Sequence, residues 1–258
     1  PTIPFCYWSL NYTPSKITES DAIDGVREHL ENSIRLRMRS DKPIAFCLSG
    51  GIDSSVITGM ASKLLNCDIK TFSIIDDDER YNEEKNIKSQ VNFLGCSNHR
   101  IQTSKSGFFN RLKNLISYHD MPIATLTYYL HSFMSEAIAN SGCRVAISGN
   151  GADELFTGYY DHYSFWLAEM QHKQIFQDLK SDWYKSYGAY VQNPLLRNPL
   201  VFCRHPYERG HIYLNSKVFN TWLNEPFEEE FEESIYSENL LRNRMLNEIN
   251  HETIPVIL

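Results

Sequence analysis

The sequence predicts an α/β fold, a doubly wound parallel sheet, on three observations. Short strand-like segments recur along residues 41–165, and the first of them, 44–48, is a continuous apolar run as expected of a strand buried on both faces. Stretches with helical spacing lie between them. The two kinds of segment alternate, which is the pattern of βαβ units, and right-handed crossovers then place helices on both faces of the sheet. About five strands are expected, followed by a mostly helical C-terminal part.

Residues 1–19 read as an irregular aromatic lead-in with Pro1, Pro4, Tyr7, Trp8, Tyr12 and Pro14. A helix is predicted over 20–39, where Ile23, Val26, Leu30 and Ile34 fall near helical spacing. Pro43 ends the connection, and residues 44–48 are the first strand. A helix over 54–66 places Val56, Ile57, Met60, Ala61, Leu64 and Leu65 in one stripe. The second strand is expected at 69–75, a helix at 82–94 stopped by Gly95, and the third strand at 98–102. Helices at 108–118 and 128–140 lead to Gly142 and a fourth strand at 144–147. After Ser148 the pattern changes. Residues 153–190 read as helical and aromatic, with Tyr159, Tyr160, Tyr163, Phe165 and Trp166. Pro194, Pro199 and Pro206 break the next stretch, and the glutamates of 225–233 read as a solvated acidic face.

With 258 residues, 42% hydrophobic and 22% charged, the chain is large enough to bury a core without staples. It reads as one domain over 1–258, with a lead-in at 1–40, an α/β core at 41–165 and an extension at 166–258. A net charge of −7 argues against a nucleic-acid partner. No apolar run approaches the ~20 residues that span a bilayer, so no membrane partner is expected. Cys6, Cys47, Cys67, Cys96, Cys143 and Cys203 form no C-x-x-C pair, and they read as reduced, buried thiols. With no signal-peptide pattern at the start, these thiols point to the cytoplasm.

Chemistry concentrates in Leu48, Ser49, Gly50, Gly51, Ile52, Asp53, Ser54 and Ser55, directly after the first strand and before an amphipathic helix. Adjacent glycines let backbone approach a ligand closely. The hydroxyls of Ser49, Ser54 and Ser55 and the first-turn N–H groups can donate to an anion. The helix macrodipole adds about half a positive charge at that end. The stretch is therefore a phosphate cradle, though without the lysine of G-x-x-x-x-G-K-[ST]. A carboxylate stands in the loop instead. Asp53 would repel a phosphate unless a cation lay between them, so the loop predicts Mg²⁺. An ordinary strand-to-helix turn with Asp53 at the helix start is the alternative.

This loop resembles the pyrophosphate loop of the ATP pyrophosphatase (PP-loop) superfamily, which has an adenine nucleotide alpha hydrolase-like fold. Its members cleave ATP between the α- and β-phosphates and adenylate a substrate. A second segment narrows the resemblance. Ser148, Gly149, Asn150, Gly151, Ala152, Asp153, Glu154, Phe156, Gly158 and Tyr159 resemble the S-G-x-G-A-D-E-x-F-x-G-Y segment of the asparagine synthetase (glutamine-hydrolysing) family. β-Lactam synthetases and sugar-carboxylate amidotransferases carry related versions. The resemblance implies that Asp53 and Asp153 bridge Mg²⁺ to the leaving pyrophosphate, with Asn150 and Glu154 at the same end of the sheet. It implies that Cys47 and Ile74 meet adenine through backbone, and that Leu48, Ser148 and Gly149 join the ATP site. Asn82, Glu83 and the run from Gly95 to His99 are weaker matches. His99 reads as a packed or surface histidine. Residues 242–258 resemble the helix upstream of the family's R-x-P-F-L-D motif.

Three departures qualify what is implied. The family's glutaminase domain starts at a catalytic cysteine, but residue 1 here is Pro and Cys6 lacks that setting. Ammonia is therefore expected from a separate glutaminase domain or partner. The R-x-P-F-L-D motif and the lysine beyond it do not occur before Leu258, so the chain is read as a piece of a longer protein. Asn150 stands where amino-acid-using members carry Glu. A neutral amide both donates and accepts, which leaves room for a carboxylate other than aspartate, such as a sugar uronic acid or a β-lactam precursor. The implied activity is a C–N-forming ligase that amidates a small-molecule carboxylate through an acyl-adenylate. A non-catalytic ATP-binding module is the competing class. A homodimer is left open.

Overall fold

The computed structural model describes residues 5–257 except 8, 11, 66–68, 80, 124, 213–214 and 228–231. Pro1, Pro4, Trp8, Cys67, Leu258 and the middle of the 225–233 run thus lie outside the described residues. The chain divides into two compact units, Pro14–Asn150 and Pro1–Thr13 with Gly151–Leu258. The division falls close to the change of pattern after Ser148.

In the first unit, β1 (Ile44–Cys47), β2 (Lys70–Ile75), β3 (Ser97–Gln102) and β4 (Val145–Ile147) form one parallel sheet in the order β3-β2-β1-β4. The sheet has four strands among the described residues rather than about five, because after β4 the chain turns into short helices. The helices are α1 (Glu19–Arg37), α2 (Ile52–Leu65), α3 (Glu84–Leu94), α4 (Phe108–His119) and α5 (Leu126–Asn140).

Alternation along β1 sorts the two faces of the sheet. Phe46 packs with Ile34 of α1, Ala61 of α2 and Ile147 of β4. Ala45 points the other way, into Phe72, Ile101 and Ile138 of α5. Both faces are therefore covered, as the apolar strand runs require. The helix predicted over 20–39 is α1, and its spaced apolar residues are only partly covered. Ile34 is buried and Met38 packs beside it, but Ile23 is 51% and Val26 41% exposed. Only the last turns of α1 reach this core. Gly95 ends α3 in the left-handed region at φ 63°, a conformation a side chain would strain.

The second unit is helical: α6 (Ala152–Phe156), α7 (Tyr160–Met170), α8 (Phe176–Ser186), α9 (Val201–Arg204), α10 (Ser216–Phe219), α11 (Leu240–Asn250) and α12 (Thr253–Ile257). The helical reading of 153–190 resolves into α6, α7 and α8. Its aromatics build the core, with Phe165 stacked on Phe202 at 3.7 Å between ring centroids and Trp183 buried beside them. Cys47, Cys96, Cys143 and Cys203 are free thiols at least partly buried, whereas Cys6 is exposed, contrary to the expectation for it. Among the described residues, no helix is long and apolar enough to cross a membrane.

Candidate functional site

The strand order locates the site. From β1 the chain winds outward through β2 and β3, then returns to pair β4 on the other side of β1. Order reverses between β1 and β4, and in open parallel sheets ligands bind beyond the carboxyl ends of the strands at such a point. The loop after β1 and Ser148–Asn150 after β4 both leave the sheet there.

The loop is clamped at its root. Leu48 donates its N–H to Phe72 O at 2.8 Å, and its carbonyl accepts the Ser73 hydroxyl at 2.6 Å. Ser73 is in turn held by Asn98 Nδ2 at 2.9 Å, so a buried polar chain crosses from β3 to the loop. Ser54 Oγ accepts Ser49 N–H and lies 3.1 Å from Ser49 Oγ, which itself accepts Gly51 N–H. Ser55 Oγ donates to Gly51 O. These bonds fold the loop over the first turn of α2, where four N–H groups have no intrahelical partner by geometry.

Two glycines are required by close approach. Gly50 has φ 92°, and a Cβ there would meet Glu83 and Asn86 at the start of α3 at 3.1 and 3.2 Å. Gln90 of α3 also donates to Gly50 O at 3.2 Å. Gly149 lies against the start of α2, where a Cβ would stand 2.9 Å from Ser54 N and 3.1 Å from Asp53 Cβ. The structure thus brings the segment after β4 onto the Asp53–Ser54 backbone. Hydroxyls, helix-start amides and the Asp53 carboxylate on one loop are a donor set that fits Mg²⁺ with phosphate oxygens.

Other expected residues fall as follows. Cys47 and Ile74 pack at the edge of the Ala45–Phe72 cluster, and burial pushes the Cys47 thiol up to about 11, so it is a neutral thiol at pH 7. Ser148 and Asn150 close the first unit, with Asn150 exposed. Asn82 accepts from Glu84 N–H ahead of α3, and burial raises the Glu83 carboxyl. His99 is exposed on the edge strand and stacks on Phe72 at 4.8 Å.

Asp153 and Glu154 begin the second unit. Glu154 is 2% exposed and accepts the Tyr159 hydroxyl at 2.6 Å. Burial, then Glu154, raises the Tyr159 phenol. The Asp153 carboxylate lies over Gly158, where any Cβ would overlap it.

A buried charged cluster in this unit went unread in the sequence. His162 Nε2 meets Glu248 Oε2 at 2.9 Å, and His211 Nε2 meets Asp161 Oδ2 at 3.0 Å. Arg244 reaches Glu248, Glu233 and Glu252, and Arg209 grips Glu233 through two nitrogens. Burial would raise Asp161 and Glu233. For Asp161, His211, His162 and Arg244 outweigh it; for Glu233, Arg209 and Arg244 do, and both carboxyls are held below their usual range. Glu248 is raised, because burial outweighs His162 and Arg244. Glu233 therefore departs from the solvated acidic face expected of 225–233. The only signal for the cluster was Arg244, Glu248 and Glu252 at four-residue spacing. Asp161, His162 and Glu248 also lie within 4.8 Å, close enough to hold a cation. Arg244 and the two histidines already occupy their oxygens.

Comparison with known proteins follows the same lines. A family model described as asparagine synthase matches residues 25–246. An amidase of Penicillium rubens (chyE) is 29% identical over 185 residues, which is 64% of this chain and 27% of that protein. The glutamine-hydrolysing asparagine synthetase 1 of Bacillus subtilis is 34% identical over 153 residues, 59% of this chain and 24% of that protein. A putative glutamine-hydrolysing asparagine synthetase of Methanocaldococcus jannaschii is 29% identical over 160 residues, 61% of this chain and 30% of that protein. The chain spans less than a third of the length of these relatives.

Proposed function

Because the chain belongs to the asparagine synthase family, we propose that it is the ATP-using part of a ligase that amidates a carboxylate through an acyl-adenylate. The observation that carries the reading is Gly149 set hard against Asp53–Ser54, which gathers both motif loops of the α/β unit at the switch point. Folds of this kind host many activities, so the site residues rather than the sheet bear the weight.

The 49–55 loop receives the β- and γ-phosphates with its hydroxyls and the α2 N-terminus. Asp53 would hold Mg²⁺, which when bound would neutralise the departing pyrophosphate, and Asp153 is the second carboxylate that the family resemblance offers for the metal. Backbone at Cys47 and Ile74 orients adenine. The substrate carboxylate attacks the α-phosphorus and pyrophosphate leaves. Ammonia from a glutaminase domain or partner then attacks the acyl-adenylate and releases AMP. Positioning and charge neutralisation are what the protein contributes. The free thiols of Cys47, Cys96, Cys143 and Cys203 suit a reducing compartment such as the cytoplasm.

Asn150 favours a second reading within the same chemistry. Its neutral, exposed amide suits a carboxylate other than aspartate, such as a sugar uronic acid. The test is pyrophosphate release from ATP, Mg²⁺ and ammonium with a panel of carboxylates. Release that depends on one carboxylate and is abolished in Asp53→Ala is expected. Normal release by Asp53→Ala would sink the assignment.

A further inference from the structure

We infer that His162 is a positioning residue for Asp153: its ring fixes the Thr157–Gly158 corner on which the Asp153 carboxylate rests. The inference builds on the proposed role of Asp153 toward Mg²⁺.

The corner needs holding. Asp153 sits in the first turn of α6, a helix of five residues capped by Gly151 at φ 94°. The helix ends at Thr157, a non-glycine residue at φ 70°, a conformation that costs about 1–3 kcal/mol. Gly158 follows directly. Its missing side chain is what admits the Asp153 carboxylate, because a Cβ there would overlap it. Any shift of Gly158 therefore shifts the surface against which Asp153 lies.

His162 supplies the restraint. Gly158 donates its N–H to His162 Nδ1 at 3.3 Å. An amide N–H can only donate, so Nδ1 is the acceptor and the ring proton sits on Nε2. That proton points to Glu248 Oε2 at 2.9 Å. His162 and Glu248 are each 2% exposed, so no water competes for either nitrogen. The other Glu248 oxygen accepts Arg244 Nε at 3.1 Å, and the Arg244 fork is gripped by Glu252. The carboxylate on α11 thus selects the imidazole tautomer on α7, and the tautomer leaves a lone pair for Gly158. A second tie runs in parallel, from the Tyr159 hydroxyl to Glu154. His162 touches no reacting atom in this account. It acts through Gly158, as a partner that orients a metal-binding carboxylate.

Two substitutions separate the two ring nitrogens. Asn places an acceptor near Nδ1, and Gln places a donor near Nε2. His162→Gln should raise the amide exchange rate of Gly158 at least about tenfold. It should raise the Mg²⁺ concentration for half-maximal ATP binding by calorimetry roughly ten- to a hundredfold, the usual effect of losing a partner that orients a metal ligand. Rate at saturating Mg²⁺ should change little. His162→Asn should stay within about twofold of the parent in both readouts. Equal losses in both variants, or wild-type Gly158 exchange in His162→Gln, would overturn the inference. Nitrogen NMR of the unsubstituted protein needs no variant, and a protonated Nδ1 would overturn it as well. Asp153→Asn is the separate control. If it leaves the Mg²⁺ requirement unchanged, the metal role of Asp153 fails on its own, whatever His162 does to Gly158 exchange.

Discussion

The two units are held together by different chemistry. In Pro14–Asn150 a parallel sheet is buried on both faces by apolar side chains, and its buried hydroxyls serve to clamp one loop. In the helical unit an aromatic core stands beside a buried cluster of four carboxylates, two guanidiniums and two imidazoles. An apolar core degrades gradually when one side chain is trimmed. A charge network fails at its hub, because each partner left behind is a buried, uncompensated charge. Among the described residues, Trp166, Trp183 and Trp222 fall in the second unit, so their fluorescence reports that unit, while circular dichroism reports both.

The largest effect is expected at the hub. Arg244→Met should destabilise the helical unit by about 3–5 kcal/mol in urea unfolding followed by fluorescence. A loss under about 1 kcal/mol would mean that the network contributes little there. Glu233→Gln should cost about 3 kcal/mol at pH 7 for the same reason. Its sign with pH follows from the lowered carboxyl, whose ordinary value is 4.5. The contribution is present above that value and is lost as pH falls through the lower folded value. The gap between parent and variant should therefore close in acid. Glu248, being raised, works in the opposite sense. A gap that widens below pH 4.5 would contradict the assignment.

Gly149→Ala probes the other unit. The added Cβ meets backbone at Ser54 and Asp53, so a cost of about 1–3 kcal/mol is expected, together with loss of ATP binding. Circular dichroism should register the change while the fluorescence transition stays in place. Gly95→Ala should show the smallest effect, about 1 kcal/mol, because nothing lies near its Cβ and only the left-handed backbone is strained. A neutral result there would mean that the end of α3 relaxes freely.

The same contrast governs what could be read in advance. Residues 44–48 were legible as a strand because burial on both faces leaves an unbroken apolar run, whereas β3 is an edge strand, polar and mostly exposed, and was legible only through its place after Gly95. Gly95 and the Gly50–Gly51 pair announced their turns because few other residues tolerate them. The segment from Ser148 to Tyr159 was legible as a motif, but the fixing of Gly158 by His162 was not, since a histidine four residues on carries no sign of its partner at 248. Glu233 looked like one more solvated glutamate, because what buries it is Arg209 and Arg244, distant in sequence and brought close only by folding. The helical spacing of Ile23, Val26, Leu30 and Ile34 announced α1, but spacing alone does not say which of them meets a surface, and Ile23 and Val26 stay exposed.

The central claim is that the loop after β1 binds the phosphates of ATP together with Mg²⁺. Calorimetric titration with ATP, with and without Mg²⁺, tests it directly in the parent and in Asp53→Ala. Binding that requires Mg²⁺ in the parent and is lost in Asp53→Ala, with an unchanged circular dichroism spectrum, is the predicted result. ATP binding that ignores both Mg²⁺ and the substitution, or no binding by the parent, would contradict the account.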